Sequence, residues 1–220
     1  MKSKLNWLEV LLLAAPFVAL AIYWNDLPPR VPIHWDLRGQ INGWSAKMPG
    51  MLIIPLTALG TNVLLHILPR FDPRLRRTSE EEGVMPAILP IVRIATLGLL
   101  DIIFLVQIAA SLGRSIPSAR MIVSSVLVFF IVLGNYLGNV RPNYFVGIRT
   151  PWTLENSATW RATHRLGGRL MFFGALVLLI AQFLVSEEVF AWLFVASTLS
   201  FVAWGFVYSW HHCRTHDGTR

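Results

Sequence analysis

Six apolar runs, at about 5–24, 49–68, 87–111, 119–139, 169–185 and 189–210, dominate the pattern along the chain. Each comes near the roughly 20 residues that one helix needs to cross a hydrocarbon core of about 30 Å. The pattern therefore predicts an all-α integral membrane bundle of six transmembrane helices. Polar positions are gathered into the connections, of which 25–48 and 141–168 stand out as long and distinctive. The links "GRSIPSAR" and "SEE" are short enough to force antiparallel neighbours. Little remains for a separate soluble domain. The chain divides naturally into 1–111, with spans one to three and the loop 25–48, and 112–220, with spans four to six and the loop 141–168.

The opening MKSK and the apolar run behind it resemble the front of a secretory signal, but the run closes in Tyr23-Trp24-Asn25 rather than in small residues. A retained first helix is expected. Composition agrees with a membrane protein: 55% of residues are hydrophobic and 14% charged. The formal charge of +7 acquires meaning from its placement. With the N-terminus inside, the inner segments hold Lys2, Lys4, Arg70, Arg74, Arg76, Arg77, Arg141, Arg149, Arg161, Arg165, Arg169, Arg214 and Arg220. The outer segments hold Arg30, Arg38, Lys47, Arg114 and Arg120. This asymmetry predicts both termini in the cytoplasm and accounts for the basic balance without nucleic acid. The single cysteine, Cys213, excludes an internal disulfide framework and a cysteine-based zinc site.

In the first outer loop, prolines 28, 29 and 32 forbid a helix and favour extended backbone, while Gly39 and Gly43 permit turns. Trp35 and Trp44 suit the headgroup level, and His34 and Asp36 are candidate polar contacts on an external surface. The cytoplasmic connector "RFDPRLRRTSEEEG" reads as a solvated turn whose arginines meet anionic headgroups. Within the spans, Glu9, Asn62, His66, Arg93, Asn135 and Tyr136 fall at similar depth near the inner surface. Glu9 and Arg93 are expected to pair across the bundle. Asp101, about 12 Å beyond Arg93 along the helix axis, is out of reach of that pair, and is either protonated and hydrogen-bonded or lines a wet cavity.

The stretch "RPNYFVGIRTPWTLENSATWRATHRLGG" is the densest concentration of specific polar chemistry. Thr150 fits a helix N-cap and Pro151 the first helical position, predicting an amphipathic helix of about four turns that ends at Gly167-Gly168, a hinge into the fifth span. Trp152, Trp160, Arg161 and Arg165 suit a helix lying in the inner interface. A cluster of Arg149, Arg161, Arg165 and helix-start N–H groups also suits an anion or carboxylate. Asn143, Tyr144, Gly147, Thr150, Thr153, Thr163 and His164 exceed what lying on a membrane requires.

At these residues the chain resembles the SdpI family of bacterial multi-pass membrane proteins. The shared pattern is a PN-aromatic entry, GIRTPWTL, a tryptophan, and TH followed by a glycine pair. The outer loop "LPPRVPIHWDLRGQINGW" is similar to a small domain of unknown function that often precedes this segment. Departures are Asn42, where an acidic residue is common, and Ala158-Thr159 before Trp160.

The resemblance implies a bacterial cytoplasmic-membrane protein that protects against a membrane-active peptide toxin. In some members it also implies capture of a cytoplasmic transcriptional repressor. The inner binding surface would draw on Asn143, Tyr144, Gly147, Arg149, Thr150, Pro151, Trp152, Thr153, Trp160, Arg161, Thr163, His164, Arg165 and Gly168. The outer one would draw on His34, Trp35, Asp36, Gly39, Gly43 and Trp44.

Two other readings compete. One is an ion- or proton-coupled transporter centred on Asp101. The other is a lipid-acting interfacial enzyme with His164 as general base, for which no nucleophile with a paired base is apparent. Neither cofactor nor metal is expected: His211, His212, Cys213 and His216 read as the frayed end of the last helix rather than as ligands.

Overall fold

The computed structural model describes residues 6–36, 39–73 and 88–216. Beyond Pro73, the arginine-and-glutamate connector and Pro86 lie outside the described residues, as do Lys2, Lys4, Arg38 and Arg220. Helix α1, Trp7–Tyr23, starts where the Asn6 side chain accepts from the Leu8 N–H. Two strands follow, β1 Arg30–Trp35 and β2 Ile41–Ala46. Then come α2 Lys47–Ile67 with a 3-10 turn Leu68–Phe71, α3 Ile88–Ser111 and α4 Ser118–Leu137. The last elements are α5 Pro151–Glu155, α6 Ser157–Ala181 and α7 Glu187–His216.

The molecule is mostly helical. Five helices are long and apolar enough to cross a membrane, namely Lys47–Phe71, Ile88–Ser111, Ser118–Leu137, Ser157–Ala181 and Glu187–Thr215. The apolar α1, at 17 residues, is shorter. The expectation of a purely α-helical chain is corrected by the antiparallel hairpin of β1 and β2. Its prolines favour extended backbone, and an extended chain satisfies its backbone groups by pairing. Gly39 supplies the turn with φ +74°, and Asp36 closes it by accepting from the Gln40 N–H. Gly43 serves otherwise than expected: it lies within β2, where a Cβ would stand 2.7 Å from that of His34.

Both α1 and α2 pack on α3, α3 packs on α4, α4 on α6, and α6 on α7. The hairpin rests across one end of this row. Gln107 of α3 donates to the carbonyls of Pro32 and Gly50, at 2.9 and 3.0 Å. At the other end of the hairpin, a Cβ on Gly39 would come 3.2 Å from Ala119 at the start of α4.

The largest departure from expectation concerns 150–168. Thr150 and Pro151 do open a helix, with a capping box between Thr150 and Thr153, but it stops after Glu155. Asn156 then caps a new helix, its Oδ1 accepting from the Ala158 and Thr159 N–H groups. This helix runs without a break through Gly167 and Gly168. The glycine pair is therefore a contact surface rather than a hinge. A Cβ on Gly168 would stand 2.7 Å from the Gly134 carbonyl, and one on Gly167 would stand 2.7 Å from Ile148 Cδ1. Small residues of this kind let helix backbones approach closely in a membrane.

Candidate functional site

The chain from Arg141 to Leu166 forms an ordered corner between α4, α6 and α7. Asn143 is buried and organises its first turn, donating to the carbonyls of Arg141 and Val146 and accepting from the N–H groups of Phe145 and Val146. The neighbouring Tyr144 N–H donates to Asp72, just past the 3-10 turn, at 2.8 Å. Arg149 is exposed, and its Nη1 donates to the Tyr144 carbonyl at 2.6 Å. At Gly147, φ is +118°, and a Cβ would lie 2.2 Å from His164 Nε2. Only glycine fits there.

His164 is fully buried and its two nitrogens have fixed roles. A carbonyl can only accept, so Nδ1 carries the proton and donates to the Trp160 carbonyl at 2.8 Å. Nε2 then accepts from the Ile148 N–H at 2.9 Å. The ring is stacked on Trp160, centroids 4.0 Å apart. Trp160 is itself fully buried, donating to the Val140 carbonyl at 2.7 Å. That overturns the interfacial placement of Trp160: this tryptophan faces protein, because the helix it rides on is packed against α4.

The threonines fasten the corner to α7. Thr150 Oγ1 donates to Ser209 Oγ at 2.9 Å, and Ser209 in turn donates to the Gly205 carbonyl. Thr159 Oγ1 lies 3.2 Å from His212 Nδ1. Thr153 Oγ1 donates to the Ile148 carbonyl at 2.9 Å. Thr163 is buried, and its hydroxyl has no hydrogen-bond partner among the described residues. Arg161 and Arg165 project from α6 and are exposed, Pro151 is exposed and Trp152 half-buried. The helix-start N–H groups that suited an anion are taken by Thr150 and Asn156.

A second polar cluster joins three helices. Glu9 of α1 is fully buried and receives Arg93 of α3 through Nε at 3.2 Å and Nη2 at 3.0 Å. His66 of α2 faces the other carboxylate oxygen at 3.4 Å, while its Nδ1 donates to the Asn62 carbonyl. Asn135 does not join them: it is exposed on α4. Asp101 is buried, and neither carboxyl oxygen has a hydrogen-bond partner among the described residues.

On the hairpin, His34 Nδ1 and Asn42 Oδ1 meet across the strands at 2.5 Å. Asp36 is a turn former, Trp35 is half-buried and Trp44 exposed. Sequence reasoning missed Ser209, Asp72, and the Gly134-Gly138 pair against Gly168. The last had a readable signal, since "GNYLG" is a G-x-x-x-G in an apolar helix. The side-chain ties to Ser209 and Asp72 had none.

Residues 139–209 match the model of the SdpI/YfhL protein family, and residues 11–59 match a domain of unknown function, DUF1648. The "Immunity protein SdpI" of Bacillus subtilis (strain 168) is 24% identical over 220 residues, covering 99% of this chain and 100% of that protein. No solved structure matches.

Proposed function

We propose that this chain, whose residues 139–209 match the SdpI/YfhL family model, is a membrane immunity protein of that family that protects its cell from a membrane-active peptide. The observation that carries the reading is the end-to-end likeness to a protein named for immunity, which extends over the hairpin as well as the corner at 141–166. In this reading α1 is a sixth span, since 17 residues lies at the short end of the range for a membrane helix. Both termini lie in the cytoplasm of a bacterial cell, the hairpin faces outward, and the corner faces inward. Residues 1–111 carry spans one to three with the outer hairpin, and 112–220 carry spans four to six with the inner corner. Arg149, Trp152, Arg161 and Arg165 offer a basic and aromatic surface to lipid headgroups and to a cytoplasmic repressor.

The reading involves no catalytic step. His164 supports that, because both of its nitrogens are committed inside the protein, leaving no lone pair for a substrate. Survival of a susceptible bacterium expressing the chain, challenged with membrane-active peptides, tests the proposal. Wild type is expected to protect, and Arg149→Ala or Trp152→Ala to protect less at equal membrane levels. Full protection by those variants would remove the inner surface from the mechanism. A second reading, proton- or ion-coupled transport, draws support from the Asp101 carboxyl, which has no hydrogen-bond partner among the described residues. Asp101→Asn then abolishes a gradient-driven flux in proteoliposomes; unchanged flux, or none in wild type, discards it.

A further inference from the structure

Helices α4 and α6 touch through glycine. A Cβ on Gly134 would stand 2.7 Å from the Phe172 nitrogen, and one on Gly138 would stand 3.5 Å from Arg165 Cα, so the helices run antiparallel with the end of α4 beside the first half of α6. Gly167 turns toward α7, where a Cβ would meet Trp204 at 3.2 Å. In an antiparallel pair the residue after each contact glycine, Asn135 after Gly134 and Arg169 after Gly168, turns to one shared side, here the side away from α7. On that side α6 carries Arg161, Arg165 and Arg169, each four residues from the next, and α4 carries Asn135 and Asn139, also four apart. All five are exposed. None of the three arginines has a carboxylate partner among the described residues. The same two faces then turn apolar while staying exposed, through Phe173, Leu176 and Ile180 of α6 and Val128 of α4.

We infer that this groove between α4 and α6 binds an anionic phospholipid of the phosphatidylglycerol type. The phosphate is held between Arg165 and Arg169, about 6 Å apart along the helix axis, the headgroup hydroxyls meet Asn135 and Asn139, and an acyl chain follows Phe173, Leu176 and Val128. Arg161, one turn further out, adds attraction rather than a direct bond. The inference rests on the lipid half of the inner-surface reading above and narrows it from a general basic surface to one groove. A guanidinium meets phosphate oxygens through two parallel N–H···O bonds, and basic pockets between membrane helices hold anionic head groups in this way. A free anion would use the arginines and leave the apolar lane bare. Phosphatidylethanolamine would use the lane but bring an ammonium beside the arginines and no net negative charge. An anionic lipid uses both parts. The glycine contact brings the two helices close enough for the asparagines of one and the arginines of the other to reach a single headgroup.

Native mass spectrometry of the full-length protein in nonionic detergent, titrated with phosphatidylglycerol or with phosphatidylethanolamine of the same acyl chains, tests this. Wild type is expected to hold phosphatidylglycerol about tenfold more tightly, and the double variant Arg165→Gln/Arg169→Gln to lose that preference. Asn135→Glu, which sets a negative charge in the groove and leaves every arginine in place, is expected to lose it as well, so the site is read even where the double variant does not fold. Arg114→Gln removes an exposed arginine at the other end of the bundle and is expected to keep the wild-type preference. A preference that survives Asn135→Glu, or that falls as far with Arg114→Gln, overturns this site while leaving lipid contact by the basic surface standing. Equal binding of the two lipids by wild type overturns both. Displacement of phosphatidylglycerol by excess inorganic phosphate makes the occupant a free anion and overturns the lipid. The survival assay reads immunity separately, and none of these outcomes decides it.

Discussion

His164 shows how a residue type that suggests catalysis is used as a structural joint. Its Nδ1–H holds the Trp160 carbonyl one turn back, its Nε2 holds the Ile148 N–H across the corner, and Gly147 is bare because the imidazole fills the space of a side chain. His164→Ala leaves the Ile148 N–H without its partner, which costs about 1–3 kcal/mol for a buried donor. His164→Gln, with one amide donor and one acceptor, is expected to recover part of that in detergent unfolding midpoints. Gly168 gives a sharper contrast. An added Cβ meets the Gly134 carbonyl at 2.7 Å, so Gly168→Ala pushes α4 and α6 apart and lowers stability by about 1–3 kcal/mol. Gly174→Ala, with nothing within 4 Å, is neutral or slightly stabilising by helix propensity. Equal midpoints for the two variants would disprove the close approach. Residue chemistry made the polar character of this stretch legible, but not its direction. Trp160 is apolar enough for lipid or protein alike, and only the contact with Val140 and His164 decides.

At the scale of elements, start signals were readable and stops were not. The pair Thr150-Pro151 states a helix start in its own side chains, and the capping box bears this out. The restart at Asn156-Ser157 carries the same kind of signal, yet it lies within one run of helix-compatible residues, so the break after Glu155 is hidden from pattern alone. Gly167-Gly168 misleads in the opposite sense, since glycine ends helices in water but also lets packed membrane helices touch. Extended backbone at 30–35 was legible from its prolines, whereas pairing with 41–46 depends on a turn at Gly39 and on register. Asn156 is the element-scale test. Its Oδ1 satisfies two N–H groups at the head of α6, and Asn156→Ala is expected to cost about 0.5–2 kcal/mol. Hydrogen exchange localises the effect: the amides of Ala158 and Thr159 exchange faster in the variant, while those near Ala175 in the same helix keep their protection. Uniform acceleration along α6 would mean that the cap holds the whole helix rather than its first turn.

For the whole molecule, the question is what fixes α1, the shortest of the apolar helices, against the others. Apolar matching gives little orientation in a bilayer, where lipid tails are as apolar as leucine. The Glu9 carboxylate answers it by meeting Arg93 on one oxygen and facing His66 on the other, so α1, α2 and α3 share one buried knot. The pairing of Glu9 with Arg93 was legible from opposite charges at one depth; the third member was not, because His66 alone on α2 states no partner. A buried pair gives less stability than its Coulomb attraction suggests, but removing one member strands the other, at about 3–5 kcal/mol. Glu9→Leu and Arg93→Leu are therefore each expected to lower membrane yield and unfolding midpoint. The double variant, which leaves no unpaired charge between these two positions, is expected to recover most of the loss. A cycle of the four proteins, read by unfolding in detergent, gives the coupling energy directly. Additive losses would show that Glu9 and Arg93 act separately and that α1 is held by something else. A recovered double variant with the hairpin mispositioned, seen as lost cross-linking between cysteines placed at Gly39 and Ala119, would show instead that the knot sets the register of α1 rather than its attachment.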